Sequence, residues 1–221
     1  VAIDFVLDFE TLGTSEDTVV LSLAFLPFDR EAQKSFSEYL DDCWYWKFDV
    51  DHQFYLGRTM SEATLEWWDK QDPEVKKAQF EPSDEDVKLR TMLIELADSM
   101  KQAGINNKSI GWARGKEFDF GIMTSIVKMV KDQIPKDELA LNEAYFPVPF
   151  WQRRDIRDYI AGCVVDPMVT KVPLPMGSLS GFEHHNPIHD CARAVLHIKY
   201  AEAYARGDLD IPDEEDPWSN K

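Results

Sequence analysis

Between Ile3 and Phe9 the chain is apolar except at Asp4 and Asp8, and Glu10 follows directly. Side chains on a strand alternate, which places Ile3, Phe5, Leu7 and Phe9 on one face and Asp4, Val6, Asp8 and Glu10 on the other. Asp8 and Glu10 thus project the same way, about 7 Å apart at a rise of ~3.3 Å per residue. Thr18 to Phe28 reads as a second strand, and the aromatic-rich Lys34 to Lys47 as a third. Strands so close in sequence suggest an antiparallel meander. Thr59-Met60-Ser61-Glu62 has the form of a capping box opening a helix with Leu65, Trp67 and Trp68. Ser83 is the expected cap of a longer helix with Leu89, Leu93, Leu96 and Met100 as its apolar stripe, ended by Gly104.

Ser109 to Ala113 predicts a short strand, and Ile122, Met123, Ile126, Val127 and Val130 mark the helix after it. A segment rich in proline and aromatics, Phe146 to Trp151, leads through Gln152-Arg153-Arg154-Asp155 into a short helix reaching about Gly162. Asp166 to Glu183 carries Pro167, Pro173, Pro175, Gly177 and Gly181 and reads as an irregular surface segment. The last helix has Asn186 to cap it, Pro187 at its first position and Gly207 to stop it, with Ile188, Cys191, Val195 and Ile198 buried. Strands first, then alternating helices and strands, predict a mixed α/β sheet flanked by helices. The expected organisation is one domain over residues 1–207 and a solvated or loosely docked acidic tail over 208–221.

With 221 residues, 44% of them hydrophobic, the chain can bury a sizeable core. Its apolar runs are too short to span a bilayer, and no basic region precedes the first of them, so neither a membrane span nor a secretory signal is expected. Cys43, Cys163 and Cys191 are scattered and form no C-x-x-C pair, which fits a reducing cytoplasm. A formal charge of −17 disfavours sequence-blind wrapping of duplex DNA. It leaves room for an enzyme that holds one chain end in a pocket charged by bound cations.

Three residues can join Asp8 and Glu10. Asp119 follows a strand at the start of a helix, where α/β sheets commonly present ligands. Asp190 lies one turn into the last helix, and His185 precedes it by five residues, a spacing that neither His184 nor His189 shares. Carboxylate oxygens on one strand face repel each other and suit a hard divalent cation such as Mg²⁺.

The order D-F-E-T, then F-D after a strand, then H-N-P-I-H-D on a helix resembles the DEDDh branch of the DnaQ-like 3′–5′ exonucleases. The longer stretches TLEWWDKQDPE, PSDEDV, GWARGKEFDF, FWQRRDIRDYI and PLPMGSLSGF resemble, within that branch, exonucleases of T-even phages. Pro187 departs from the wider branch, which has alanine there, but suits a helix start. The resemblance implies an RNase H-like fold with a mixed five-stranded sheet. It implies that Asp8, Glu10, Asp119 and Asp190 hold two Mg²⁺ (or Mn²⁺), with His185 as general base. It further implies hydrolysis of single-stranded DNA from the 3′ end to 5′-mononucleotides, in the cytoplasm of a host if the chain is phage-encoded. Thr11 and Leu12 match positions that touch the terminal nucleotide, Leu12 as an apolar wedge against its base. Arg114 and Arg154, with Lys116, Arg153 and Arg157, are candidate phosphate contacts, and one of Trp67 and Trp68 is a candidate base-stacking residue. Two other readings compete: an exoribonuclease, since the same acids serve both sugars, and a non-catalytic acidic protein that mimics nucleic acid.

Overall fold

A computed structural model describes residues 3–132 and 148–220. Strand β1 (Ile3–Thr11) pairs antiparallel with β2 (Val20–Asp29), and β2 pairs antiparallel with β3 (Trp44–Lys47). On its other side β1 pairs parallel with β4 (Gly111–Ala113), which pairs parallel with β5 (Arg153–Asp155). The sheet order is therefore β3-β2-β1-β4-β5. This is the mixed five-stranded, RNase H-like sheet that the sequence implies, with β1 at its centre.

The alternation along β1 sorts into two cores. Phe5, Leu7 and Phe9 bury with helices α5 (Leu89–Gln102) and α6 (Lys116–Asp132) on one face. Val6 buries on the other with Trp112 and helices α7 (Ile156–Val164) and α8 (Pro187–Arg206). Asp4 shares that second face and is 2% exposed. It is satisfied there, accepting from Ile110 N at 2.9 Å and Trp112 Nε1 at 3.2 Å, with Arg30 at 3.9 Å. The expected stripe of α5 is buried throughout, and α8 starts and ends as expected, with Gly207 in the left-handed region at φ 72°. No helix among the described residues is long and apolar enough to cross a membrane.

Several local expectations are corrected. Lys34 to Lys47 is not one strand. Ser35 and Glu38 form a reciprocal capping box that opens α1 (Phe36–Asp41), and only Trp44–Lys47 pairs with β2. The box expected at Thr59 does not form, because Thr59 bridges to Thr18 in extended conformation; α3 (Glu62–Trp68) begins after Ser61, which makes no side-chain cap bond. Ser83 closes a turn with Glu85 and Asp86 instead of capping α5, since Val87 is held by backbone bonds to Lys47 and Asp49. Two short helices were not foreseen: α2 (Val50–Tyr55), capped by Asp49, and α4 (Pro73–Phe80), capped by Asp72.

The end of the C-terminal segment is docked, while residues 208–215 are mostly exposed. Asp216, 4% exposed, receives Leu179 N at 3.0 Å on its carboxylate, and its own N donates to Leu174 O at 2.8 Å. Trp218 packs on Phe182 with ring centroids 5.5 Å apart. These contacts pin the irregular 166–183 segment from outside. Phe146 and Pro147 of the proline-aromatic segment lie outside the described residues.

Candidate active site

The parallel strands β1, β4 and β5 end on one side of the sheet, and the acids gather there. Asp8 and Glu10 occupy the last turns of the pleat, opposite Ala24 and Ser22 of β2, and the register slips by one residue just after Glu10. Gly111 lets α6 approach the sheet: a Cβ there would lie 2.6 Å from Phe5 and 3.1 Å from Phe120. Asp155, at the end of β5, accepts from Lys116 N at 2.9 Å and so fixes the first turn of α6. That turn carries Asp119, 2% exposed, whose Oδ1 accepts from Phe9 N at 3.1 Å, between the two acids of β1.

From the second face, α8 brings Asp190. Its Oδ2 accepts from His185 N at 3.1 Å and its Oδ1 from Arg193 Nη2 at 2.5 Å. His185 adopts φ 62°, in the left-handed region that a non-glycine residue seldom occupies. Its bond to Asp190 and its ring contacts hold it there. The imidazole meets Trp67 edge-on at 4.7 Å between centroids, and Trp68 and His184 at 6.1 and 4.0 Å. Strain of this kind, about 1–3 kcal/mol, persists where surroundings over-determine a conformation. Asp8, Glu10, Asp119, Asp190 and His185 line one cleft of about 360 Å³ with His184, Arg114, Lys171 and Arg193. Ligand atoms of Glu10, His185 and Asp190 lie within 4.8 Å of one another.

Burial, then the charge of Asp119 and Asp190, pushes the Asp8 carboxyl well above its ordinary range. Glu10 is raised in the same way by burial and by Asp8, Asp190 and Asp119. Asp119 is raised to about 7, chiefly by burial and against the bond from Phe9 N. Asp190 is also raised by burial, with Arg193 opposing. His185 is lowered to about 4 by burial, then by His184 and Arg193. Four crowded carboxylates, all with raised pKa, are a donor set short of positive charge, and their oxygens fit hard divalent cations.

All four expected acids and His185 thus come together. Arg114 joins them in the cleft wall, and Trp67, 40% exposed, touches His185 while Trp68 is buried and donates from Nε1 to Thr11 O at 2.9 Å. Thr11 is buried with its hydroxyl bonded to Gly13 O at 2.8 Å. Leu12 does not stand out as a wedge: it is 4% exposed and packs with Val19, Leu21 and Trp68. Arg154 lies outside the cleft on β5, donating to Trp151 O and Arg153 O. Sequence reasoning missed Lys171 and Arg193. The i, i+3 spacing of Asp190 and Arg193 on one helix was a usable signal for the second; the first sits in an irregular segment with no periodicity to read.

The family described as the 3′-5′ exoribonuclease Rv2179c-like domain matches residues 4–202. The chain belongs to that family. An exodeoxyribonuclease of Enterobacteria phage T4 is 38% identical over 224 residues, covering 98% of this chain and 97% of the phage protein. The zinc-bound complex of E. coli ExoI with single-stranded DNA superposes with a TM-score of 0.51 at 14% identity, over 94% of this chain and 41% of that one, a likeness of fold. The chain is an enzyme, a nuclease of the 3′–5′ exonuclease type.

Proposed function

We propose that the protein hydrolyses the 3′-terminal phosphodiester of single-stranded DNA and releases 5′-mononucleotides. The convergence of four carboxylates, Glu10 and Asp119 buried and Asp8 and Asp190 half-buried, with His185 in one cleft carries this reading. Asp8, Glu10, Asp119 and Asp190 would hold two Mg²⁺ (or Mn²⁺). Bound there, such cations polarise the phosphate and lower the pKa of an associated water, so that the nucleophile forms at neutral pH. His185 is the base. Its neutral form prevails at pH 7; Trp67 and Trp68 pack against the ring, and Asp190 holds the backbone N–H beside the carboxylates. Water attacks phosphorus, its proton passes to His185, the bond to the 3′ oxygen breaks, and that oxygen takes a proton from solvent.

DNA is favoured by the near full-length similarity to the phage exodeoxyribonuclease. RNA is the second reading, motivated by the family description. Incubation with 3′- and 5′-end-labelled DNA and RNA of one sequence, with Mg²⁺ or EDTA, tests both. The expected result is mononucleotide release from the 3′ label of DNA, a ladder from the 5′ label, and silence in EDTA. Faster loss of RNA would overturn the DNA assignment.

Cation binding also predicts a thermal signature. Folded-state pKa values above the unfolded ones mean that the metal-free folded protein binds extra protons. The acids therefore stabilise at low pH, and this is lost as pH rises through their raised folded-state values, for Asp119 from about 4 through about 7. Mg²⁺ competes for the same oxygens. At a hundredfold excess over its Kd it should raise Tm by about 5–10 °C at pH 8. The rise at pH 5 should be much smaller. Calorimetry in EDTA and in Mg²⁺ at the two values checks it, and an equal rise at both would count against carboxylate ligation.

A further inference from the structure

The cleft has a cationic wall as well as an acidic one. In a chain of net charge −17, Arg114, Lys171 and Arg193 line the same space as the four acids. Arg193 is committed to positioning: its Nη2 donates to Asp190, its Nη1 to Trp218 O at 3.4 Å, and its guanidinium lies 4.4 Å from the Phe182 ring centroid. Arg114 is arranged differently. Its Nη1 donates to Thr170 O at 3.2 Å, while its Nη2 is buried with no hydrogen-bond partner among the described residues. A buried guanidinium N–H left unpaired is costly, and an anion is its natural complement.

Lys171 is presented by backbone pinned on both sides. Thr170 is held by Arg114, and Val172 N donates to Nδ1 of the buried His197 at 3.3 Å. Val172 and Leu174 are buried, and Asp216 of the C-terminal segment ties down Leu174 from outside. The cations also press on one another. Arg114 is lowered to about 10 by burial, Arg193 and Arg157, and Lys171 is lowered by burial, Arg114 and Arg193. Two cations held together at a cleft wall, one with an unmet N–H, match a phosphodiester anion.

We propose that Arg114 and Lys171 form a phosphate subsite that grips the substrate strand across the cleft from the acids. This rests on the nuclease reading above and assigns it a binding residue, Lys171, in a segment with no regular structure. The rival account is that the two cations merely offset the acids.

Salt dependence separates the two. Binding of a 3′-phosphorothioate-protected single-stranded oligonucleotide, followed by fluorescence anisotropy in Mg²⁺ from low to high salt, gives the slope of log K against log salt. For Lys171→Gln and for Arg114→Gln the slope should be shallower by about 0.7, the loss of one phosphate contact on a single strand. Lys171→Arg should restore it. Lys108→Gln, an exposed change before β4 at the far end of the parallel strands, controls for net charge. KM should rise for strands, and thymidine 5′-p-nitrophenyl phosphate tells which phosphate is held. A rise in KM on this ester too assigns the scissile phosphate; a rise confined to strands assigns the next one. An unchanged slope in Lys171→Gln and Arg114→Gln, or an equal change in Lys108→Gln, would overturn the subsite. If the wild-type protein cleaves neither DNA nor RNA, it is the nuclease reading that fails, whatever the slopes.

Discussion

Asp119→Asn should yield a folded, more heat-resistant protein that no longer releases nucleotides. Loss of one carboxylate from a cation site removes several kcal/mol of charge stabilisation in the transition state. About 4 kcal/mol corresponds to a fall of roughly 10³-fold in kcat. Asparagine keeps an oxygen to accept from Phe9 N, so the tie between α6 and β1 survives. Its stability effect runs the other way. In the wild-type protein without metal, burial lifts the Asp119 pKa to about 7, well above the ordinary carboxylate range. The stabilising protonated form is fully present below about 4 and is lost as pH rises through about 7. Asparagine is neutral throughout, so the gain in Tm over wild type in EDTA should be greatest above pH 7 and vanish near pH 4. For a chain of this size each kcal/mol gained moves Tm by about 2–4 °C. Gel assays and calorimetry on one preparation check both halves. A variant that is inactive and also less stable at pH 8 in EDTA would mean that Asp119 is structural, not a ligand held at a cost.

The centre of this site was legible because local periodicity determines it. Once Phe5, Leu7 and Phe9 are buried on one face, Asp8 and Glu10 have no other direction to point. The ends of α8 were equally plain, since Asn186, Pro187 and Gly207 act on backbone within a turn of themselves. Where two local signals competed, the weaker-looking one won. Ser35-x-x-Glu38 starts α1 despite the aromatic run that suggested a strand, because a reciprocal capping box satisfies two backbone or side-chain donors at once. Asp72-Pro73 is a helix start of the same local kind, an N-cap followed by proline at the first position.

Residues brought in from far along the chain were not legible. Asp216 reads as one more acid in an acidic tail, yet its carboxylate satisfies Leu179 N from 37 residues away. Trp218 is likewise drawn out of solvent by Phe182 and by the carbonyl bond to Arg193. Leu12 shows the converse. A residue matched to a contact position by order in the sequence is taken into a small core by Val19, Leu21 and Trp68, none of which its immediate neighbours foretell.

His185→Asn is the sharper of the two tests, because the backbone there discriminates among substitutions. At φ 62° most side chains would be strained, but asparagine enters the left-handed region more readily than almost any non-glycine residue. The variant should therefore melt within a few degrees of wild type while losing the imidazole. Removal of a general base costs about 10²- to 10⁴-fold in rate. The loss should fall on kcat, with strand KM little changed, since the phosphate contacts lie elsewhere in the cleft. His184→Asn is the necessary companion, its ring lying 4.0 Å from that of His185, and it should cost far less. His189 is already engaged, accepting from Glu183 N at 2.9 Å and packing edge-on against Phe36. The pH profile adds a readout that misfolding would not imitate. With Mg²⁺ kept saturating at every pH, the neutral base persists well below the usual histidine range, since burial lowers His185 to about 4, and the acid limb of wild-type kcat should lie correspondingly low. In His185→Asn that limb should disappear from the residual activity. A larger loss in His184→Asn than in His185→Asn would transfer the role of base to the neighbouring ring and break the link between the five-residue spacing and the chemistry.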